Sequence, residues 1–557
     1  MVGRLATAQT GDMSATYSYD DAGRLTLVEY SNGGGAKIVR AYDDADRLAS
    51  IEQRGPDETV LLSVTYVWNP DNTLAQRTEA DYTGATSHTA VVTFGYDLRK
   101  RLITETRVAD GTTVYDLEYW YDQLGNRTLT QDHLHSGTHT VYTYDTQFGL
   151  DDPNYPQPGY QSRNNRLLTY QEYGDDHLRR TVQYQYWSTG HVAYIVVKDE
   201  WPGYDEQEPY AYYHILHLSY ASNGTLAVAV WATTTDLTNQ VNWTIDSAWD
   251  FRYEGGRQRY RAQQWESVAD PNELWRKVGP ALCTDYQGQT PYVDYTAAPG
   301  GGGQLTASEQ TRYMAAFGVQ AQQTMGSGNP VRYMHGDLVG STMMLTDAVG
   351  QPTYTGGAAV LAYTAFGEPV TSGTVGVPPQ DCETRYQYCG GYGYETDLLT
   401  LYGVNGALPP ITLQHVGARW YQPNIGRFVQ RDPIGIRGGN NVYAYCANRA
   451  LWLVDPSGWF GQDTVTDMII VRDARNSGMS HEEATRSFAN SNGWAVTTYF
   501  GLGILIQFCV VPPVVTLGPD EPLTPEKLNE LIRKLFGAPP GTILDPAGPE
   551  FPPLGKN

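Results

Sequence analysis

Over the first 150 residues, apolar and polar positions alternate in short runs. Ala15-Thr-Tyr17-Ser-Tyr19 is such a run, and a period of two marks a strand with one buried face. A recurring element punctuates the runs. Tyr19-Asp20-Asp-Ala-Gly-Arg24-Leu25 returns as Tyr42-Asp43-Asp-Ala-Asp-Arg47-Leu48, as Trp68-Asn69-Pro-Asp-Asn-Thr-Leu74 and as Tyr96-Asp97-Leu-Arg-Lys-Arg101-Leu102. It continues as Tyr121-Asp122-Gln-Leu-Gly125-Asn-Arg127 and Tyr144-Asp145. The aromatic positions are spaced by 23, 26, 28, 25 and 23 residues, room for two ordinary strands and two turns. Each repeat is therefore predicted to be a β-hairpin-sized unit. The aromatic residue closes a strand, Asp accepts backbone N–H groups in the turn, Gly23 or Gly125 supplies a positive φ, and Arg-Leu opens the return strand. A unit this small cannot bury its own apolar face, so neighbouring units must stack into a continuous sheet.

After Pro153 the period loosens. Asn165-Arg166-Leu167, Tyr184-Gln-Tyr186-Trp187-Ser-Thr-Gly190 and Phe251-Arg-Tyr253-Glu-Gly-Gly256-Arg-Gln-Arg-Tyr260 read as diverged copies between long insertions, and Pro299-Gly300-Gly-Gly-Gly303 reads as a flexible loop or hinge. Composition supports a β-rich chain: 42 Tyr, 12 Phe and 58 Gly among 557 residues favour twisted strands and tight turns over long helices. The formal charge of −23 argues against a phosphate-tracking surface, so no nucleic-acid partner is expected. The five cysteines form no CxxC and no Cys/His pattern for zinc; buried thiols are expected, with a Cys382–Cys389 bridge the alternative. No signal peptide is read at the amino end, and no cofactor or metal is expected.

The phased repeats resemble the YD-repeat (RHS) family, whose sheets coil into a hollow shell. Tyr333-Met-His335-Gly-Asp337-Leu-Val-Gly340-Ser341-Thr342 and Tyr363-Thr-Ala-Phe366-Gly367 are similar to the opening of that family's core segment. Gly417-Ala-Arg419-Trp420-Tyr421 through Asp432-Pro433-Ile-Gly435, Gly438-Gly439-Asn440-Asn441, Asp455-Pro456-Ser-Gly458 and Trp459 resembles the RHS repeat-associated core domain. The resemblance implies a mainly β fold in three parts: a repeat shell over 1–330 with regular repeats about 15–150, a core over 331–459, and a variable, mixed or helical region over 460–557. It also implies a secreted or cell-surface protein, with its own C-terminal segment as intramolecular guest and an upstream repeat or a shell-forming chain as partner.

In members of that family a pair of carboxylates cuts the chain just after the final Asp-Pro-x-Gly-apolar element. Carried over by position, Asp432 and Asp455 are the pair, Arg419 is the supporting cation, and the cut falls at or next to Trp459-Phe460. The chemistry asks for two carboxyls close enough to share a proton, one ionised to activate water and one to protonate the scissile carbonyl. From residue types alone a structural role stands beside this, because Asp-Pro dipeptides start turns and Arg-Asp pairs fasten loops. His335 and Asp337 read as strand and turn residues, with no third metal ligand beside them.

In the tail, Ser480-His481-Glu482-Glu483 reads as a capped helix start on a solvated face and Thr524 to Gly537 as an amphipathic helix. Pro539 to Pro553 reads as disordered. Residues 494–511 carry no charge. Thr497, Thr498, Gln507 and Pro512-Pro513 favour a buried hairpin or core helix there over membrane contact or an unfolded threading segment. No phosphate loop and no Ser/His/Asp or Cys/His arrangement is present. Three functions follow: a shell that releases its tail by cutting itself, an effector whose tail acts on a membrane, and a cell-surface module binding carbohydrate or protein through tyrosine-rich faces.

Overall fold

The computed structural model describes residues 5–31, 34–145, 165–200, 212–237, 243–254, 258–268, 275–287, 290–299, 305–353, 360–371, 373–379, 382–402, 408–459, 462–463, 494–498 and 505–509. From Thr7–Thr10 to Pro352–Thr353 the chain makes 26 strands of one antiparallel sheet. Each strand pairs with its neighbours in sequence, so the sheet is an unbroken meander. The sheet runs past residue 331, and the hairpin Val331–Gly336 and Thr342–Thr346 belongs to it.

The repeated motif is a turn with fixed wiring. Asp20 Oδ1 accepts the Arg24 amide at 2.9 Å and its Oδ2 accepts Arg24 Nε at 2.6 Å. Asp43 holds Arg47 at 2.9 and 2.7 Å, Asp97 holds Arg101 at 2.9 and 2.7 Å, and Asp122 holds Asn126 at 2.8 and 2.8 Å. The fourth residue of each turn takes the left-handed conformation, at Gly23 (φ 90°), Asp46 (61°), Asn72 (67°), Lys100 (60°) and Gly125 (81°). Glycine is thus used at two of these turns and an ordinary side chain is held there by the turn's hydrogen bonds at three.

The aromatic residue does more than close a strand. A β-bulge falls at Tyr19, Tyr42, Trp68, Tyr96 and Tyr121. Each of three of these rings then donates to the carbonyl of the Leu that opened the previous repeat: Tyr42 to Leu25 at 2.8 Å, Trp68 Nε1 to Leu48 at 2.8 Å and Tyr96 to Leu74 at 2.7 Å. The repeat's arginine lies over the next ring, Arg24 at 4.8 Å from the centre of Tyr42 and Arg101 at 4.9 Å from Tyr121. Tyr144-Asp145 and Asn165-Arg166-Leu167, separate copies in the sequence reading, are two halves of one turn. Asp145 Oδ1 accepts the Arg166 amide at 2.9 Å across the insertion.

The bulges add twist, and the meander coils until its first strands meet its last. The Tyr17 hydroxyl bonds Gln320, the Ser14 amide donates to Tyr333 Oη at 3.2 Å, and the Tyr30 and Tyr333 rings stack at 4.4 Å. The coil wraps the segment from 360 to 459. That segment contains the small sheet Glu395–Leu401, Ile411–Val416, Arg419–Gln422 and Arg427–Phe428. Its residues bond strands spread around the whole coil: Ala365 to Glu105, Arg427 to Asn126, Gln422 to Tyr184, Trp420 to Tyr253 and Glu395 to Arg259. One core cluster joins Val28, Val64 and Phe94 of the coil to Phe366, Tyr421 and Phe428 of the plug.

Beyond the plug, Gln462–Asp463 pairs with Leu453–Val454. Trp494–Thr498 pairs antiparallel with Leu505–Cys509, so the uncharged run contains a hairpin. Among the described residues no helix is long and apolar enough to cross a membrane. The predicted elements at 480–488, 524–537 and 539–553 lie outside the described residues.

Candidate active site

Arg419 begins the strand Arg419–Gln422, reached from Ile411–Val416 through a two-residue turn. Gly417 in that turn has φ +52°, and a methyl on it would meet the Ser457 carbonyl oxygen at 2.3 Å. From the other side, a methyl on Gly458 (φ +67°) would strike the Val416 carbonyl oxygen at 2.4 Å, and the Ala418 amide donates to Ser457 at 3.0 Å. The two turns lie backbone against backbone, which only glycine permits. This brings Arg419 to Asp455.

Asp455 builds the same turn as the repeats. Its Oδ1 accepts the Trp459 amide, four residues on, at 2.9 Å and the Ser457 hydroxyl at 3.2 Å. Its own amide donates to the Tyr394 hydroxyl at 2.7 Å. Asp432 opens a second turn, with Oδ1 accepting the Ile434 amide at 2.9 Å. Each carboxylate thus spends one oxygen on its turn and turns the other to a shared cation: Arg419 Nη1 lies 3.2 Å from Asp432 Oδ2 and Nη2 lies 2.8 Å from Asp455 Oδ2. All three side chains are buried, at 2%, 7% and 1% exposure for Arg419, Asp432 and Asp455. The guanidinium lies 3.6 Å from the centre of the Phe428 ring, which closes it off from water.

No family model matches the sequence. A stretch of 129 residues, 23% of the chain, is 31% identical to double-stranded DNA deaminase toxin A of Burkholderia cenocepacia, of which it spans 8%. In three dimensions the chain is similar to TcdB2-TccC3, at 17% identity and a TM-score of 0.36 over 80% of this chain and 22% of that one. It is likewise similar to the Tc holotoxin pore of Photorhabdus luminescens, at 17% identity and a TM-score of 0.35 over 81% and 21%. The chain therefore spans under a tenth of the curated relative and about a fifth of these solved chains.

The three predicted residues meet, with both carboxylates on the Arg419 guanidinium. Arg419 stands between the carboxylates, where the sequence reading placed it beside one of them. Trp459 ends the Asp455 turn, and Phe460 lies outside the described residues. A residue without an assigned role also enters. A methyl on Gly438 would meet Asp432 Oδ2 at 2.6 Å and the Trp459 carbonyl oxygen at 3.0 Å. Gly438 stands in the core string, but nothing in its spacing signals that approach. Cys446 is buried, and burial with Asp455 nearby pushes its thiol well above the ordinary range, so it supplies no thiolate.

His335 and Asp337 point into separate networks. The His335 ring bonds Gln53 at 3.0 Å and Thr346 at 2.8 Å, and burial drives it down to about 3, leaving it neutral. Asp337 Oδ1 accepts the Val339 and Ser341 amides at 3.1 and 2.8 Å. Cys382 and Cys389 are not joined by a disulfide bond. Elsewhere, a cavity of about 710 Å³ opens between the coil and the plug, lined by Arg127, Tyr142, Glu172 and Glu368 among others. Burial raises the Glu368 carboxyl to about 7 despite Arg127, with Glu172 and Glu105 adding to the shift.

Proposed function

We propose that this chain is the shell of an RHS-type toxin protein, that it holds its own segment 460–557 as an intramolecular guest, and that it frees that segment by hydrolysing the bond between Trp459 and Phe460. The observation that carries the reading is the buried Arg419 bridge between Asp432 and Asp455, with Trp459 tied by its amide to Asp455. A carboxyl pair is gathered on one guanidinium, and the residue before the scissile bond is fixed beside it.

The division of labour follows from what each carboxylate faces, the Trp459 amide for Asp455 and the gap beside the Trp459 carbonyl for Asp432. Asp455 holds the backbone of Trp459 and is the positioning residue. Asp432 Oδ2 lies on the side of the Trp459 carbonyl and is the base: it takes a proton from a water whose oxygen attacks the carbonyl carbon. The C–N bond then breaks, and the proton passes to the departing Phe460 amine, leaving Asp432 ionised again. Arg419 holds both carboxylates in place and offers positive charge near the developing oxyanion. The partial match to a toxin supports a toxin-type shell, and the RHS resemblance extends this to a toxic role for the freed segment, in a secreted or cell-surface assembly completed by upstream repeats or a shell-forming chain.

The test is expression of the intact chain followed by a denaturing gel and intact mass. Wild type is expected as two pieces of 459 and 98 residues, and Asp432→Asn or Asp455→Asn as one. A wild type that stays whole sinks the reading and leaves the bridge as a fastening between turns.

A further inference from the structure

Gly438 sits in the short 3-10 turn Gly435–Gly438 that follows Asp432-Pro433. Glycine is usually required for one of two reasons, a left-handed backbone or a neighbour that leaves no room for a side chain. The first does not apply, because the φ of Gly438 lies outside the positive region that its neighbours Gly435 (φ +63°) and Gly439 (φ +142°) occupy. An alanine fits that backbone. The second applies fully: a methyl would lie 2.6 Å from Asp432 Oδ2, 3.2 Å from Asp432 Cγ and 3.0 Å from the Trp459 carbonyl oxygen. At Gly435 and Gly439 a methyl would meet nothing within 4 Å. The requirement is therefore local to one residue and to the two groups it separates.

We infer that Gly438 is a positioning residue for self-cleavage, its missing side chain forming the gap through which Asp432 reaches the Trp459 carbonyl. The inference rests on the reading above, in which Asp432 is the base. A methyl in that gap pushes the carboxylate or the carbonyl aside, and displacements on the order of 1 Å cost roughly 100-fold in rate. It also strips water from Asp432, which raises the pKa of a carboxylate.

The experiment follows cutting of the full chain over time by denaturing gel across a pH series, for wild type, Gly438→Ala, Gly439→Ala and Asp432→Asn. Gly438→Ala is expected to cut roughly 10- to 100-fold more slowly, with the limb that reports ionisation of the base moved to higher pH and a melting curve close to wild type. Gly439→Ala, which strains the loop without touching the site, is expected to keep the wild-type pH profile and most of the rate. If wild type cuts and Gly438→Ala cuts equally fast with an unmoved profile, the inference is overturned while the cleavage reading stands. It is also overturned if Gly439→Ala slows and shifts the profile as much, or if Gly438→Ala fails to fold, since either outcome makes the glycine a matter of loop structure. A wild type that never cuts overturns both.

Discussion

A single guanidinium decides whether two buried carboxylates are tolerable. Arg419 is their shared partner, and removing one side of a buried ion pair leaves charge without compensation. Arg419→Ala is expected to destabilise the chain by about 3–5 kcal/mol, more than Asp455→Asn, and a urea melt of uncut protein checks the order. Glu368 offers a separate residue-level test. Its carboxyl titrates near 7 in the folded chain, above the value of 4.5 for an unperturbed group. Between those values the unfolded chain has released a proton that the folded chain keeps, so stability falls as pH rises from about 4.5 to 7 and is level above. Glu368→Gln is expected to flatten that fall and to raise stability at pH 8 by up to about 3 kcal/mol. Urea midpoints at pH 5 and pH 8 measure it; an unchanged slope counts against a buried, titrating Glu368.

At the scale of elements, the repeat is a turn, a bulge and a hydrogen bond back to the previous repeat. Asp97 supplies three bonds within its turn, to the Arg99 and Arg101 amides and to Arg101 Nε. Asp97→Ala removes all three from a partly exposed turn and is expected to cost about 1–2 kcal/mol. Tyr96→Phe, which removes only the link to Leu74, is expected to cost about 1 kcal/mol. Because both act on one bulge, the double variant should fall short of their sum, and a double-mutant cycle by thermal melting reads the coupling. Independent effects would mean that turn and ladder are separate devices.

On the scale of the whole molecule, coil and plug are one core. Glu395 of the plug faces Arg259 of the coil, Arg385 at 3.4 Å and His415 at 3.5 Å, and the two guanidiniums, with a hydrogen bond from His415, hold its carboxyl far below the usual range despite burial. The coil's inner faces bury Tyr30, Val64, Leu102 and Tyr170 against the plug and the opposite wall. A chain ended after Thr353 exposes those faces together and is expected to aggregate; light scattering after purification tests it, and a monodisperse product would show that the coil stands alone. The charge of −23 belongs to this scale too. The purified chain is expected to leave duplex DNA unshifted in a gel at moderate salt.

The sequence by itself determined the unit of this protein. Period-two alternation, the phased aromatic-Asp pair and the Arg-Leu that follows are local signals, and local hydrogen bonds carry them out at Asp20, Asp43, Asp97 and Asp122. It also marked Arg419, Asp432 and Asp455, through a resemblance and not through their spacing. What only the tertiary structure decided is how distant segments meet: that Asp145 and Arg166 close one turn across an insertion, that Arg419 contacts both carboxylates, and that a side chain on Gly438 would run into both Asp432 and Trp459. The physical reason is common to all three. A turn is fixed by four or five consecutive residues, whereas a site assembled from residues 419, 432, 438, 455 and 459 exists only once the plug is folded inside the coil.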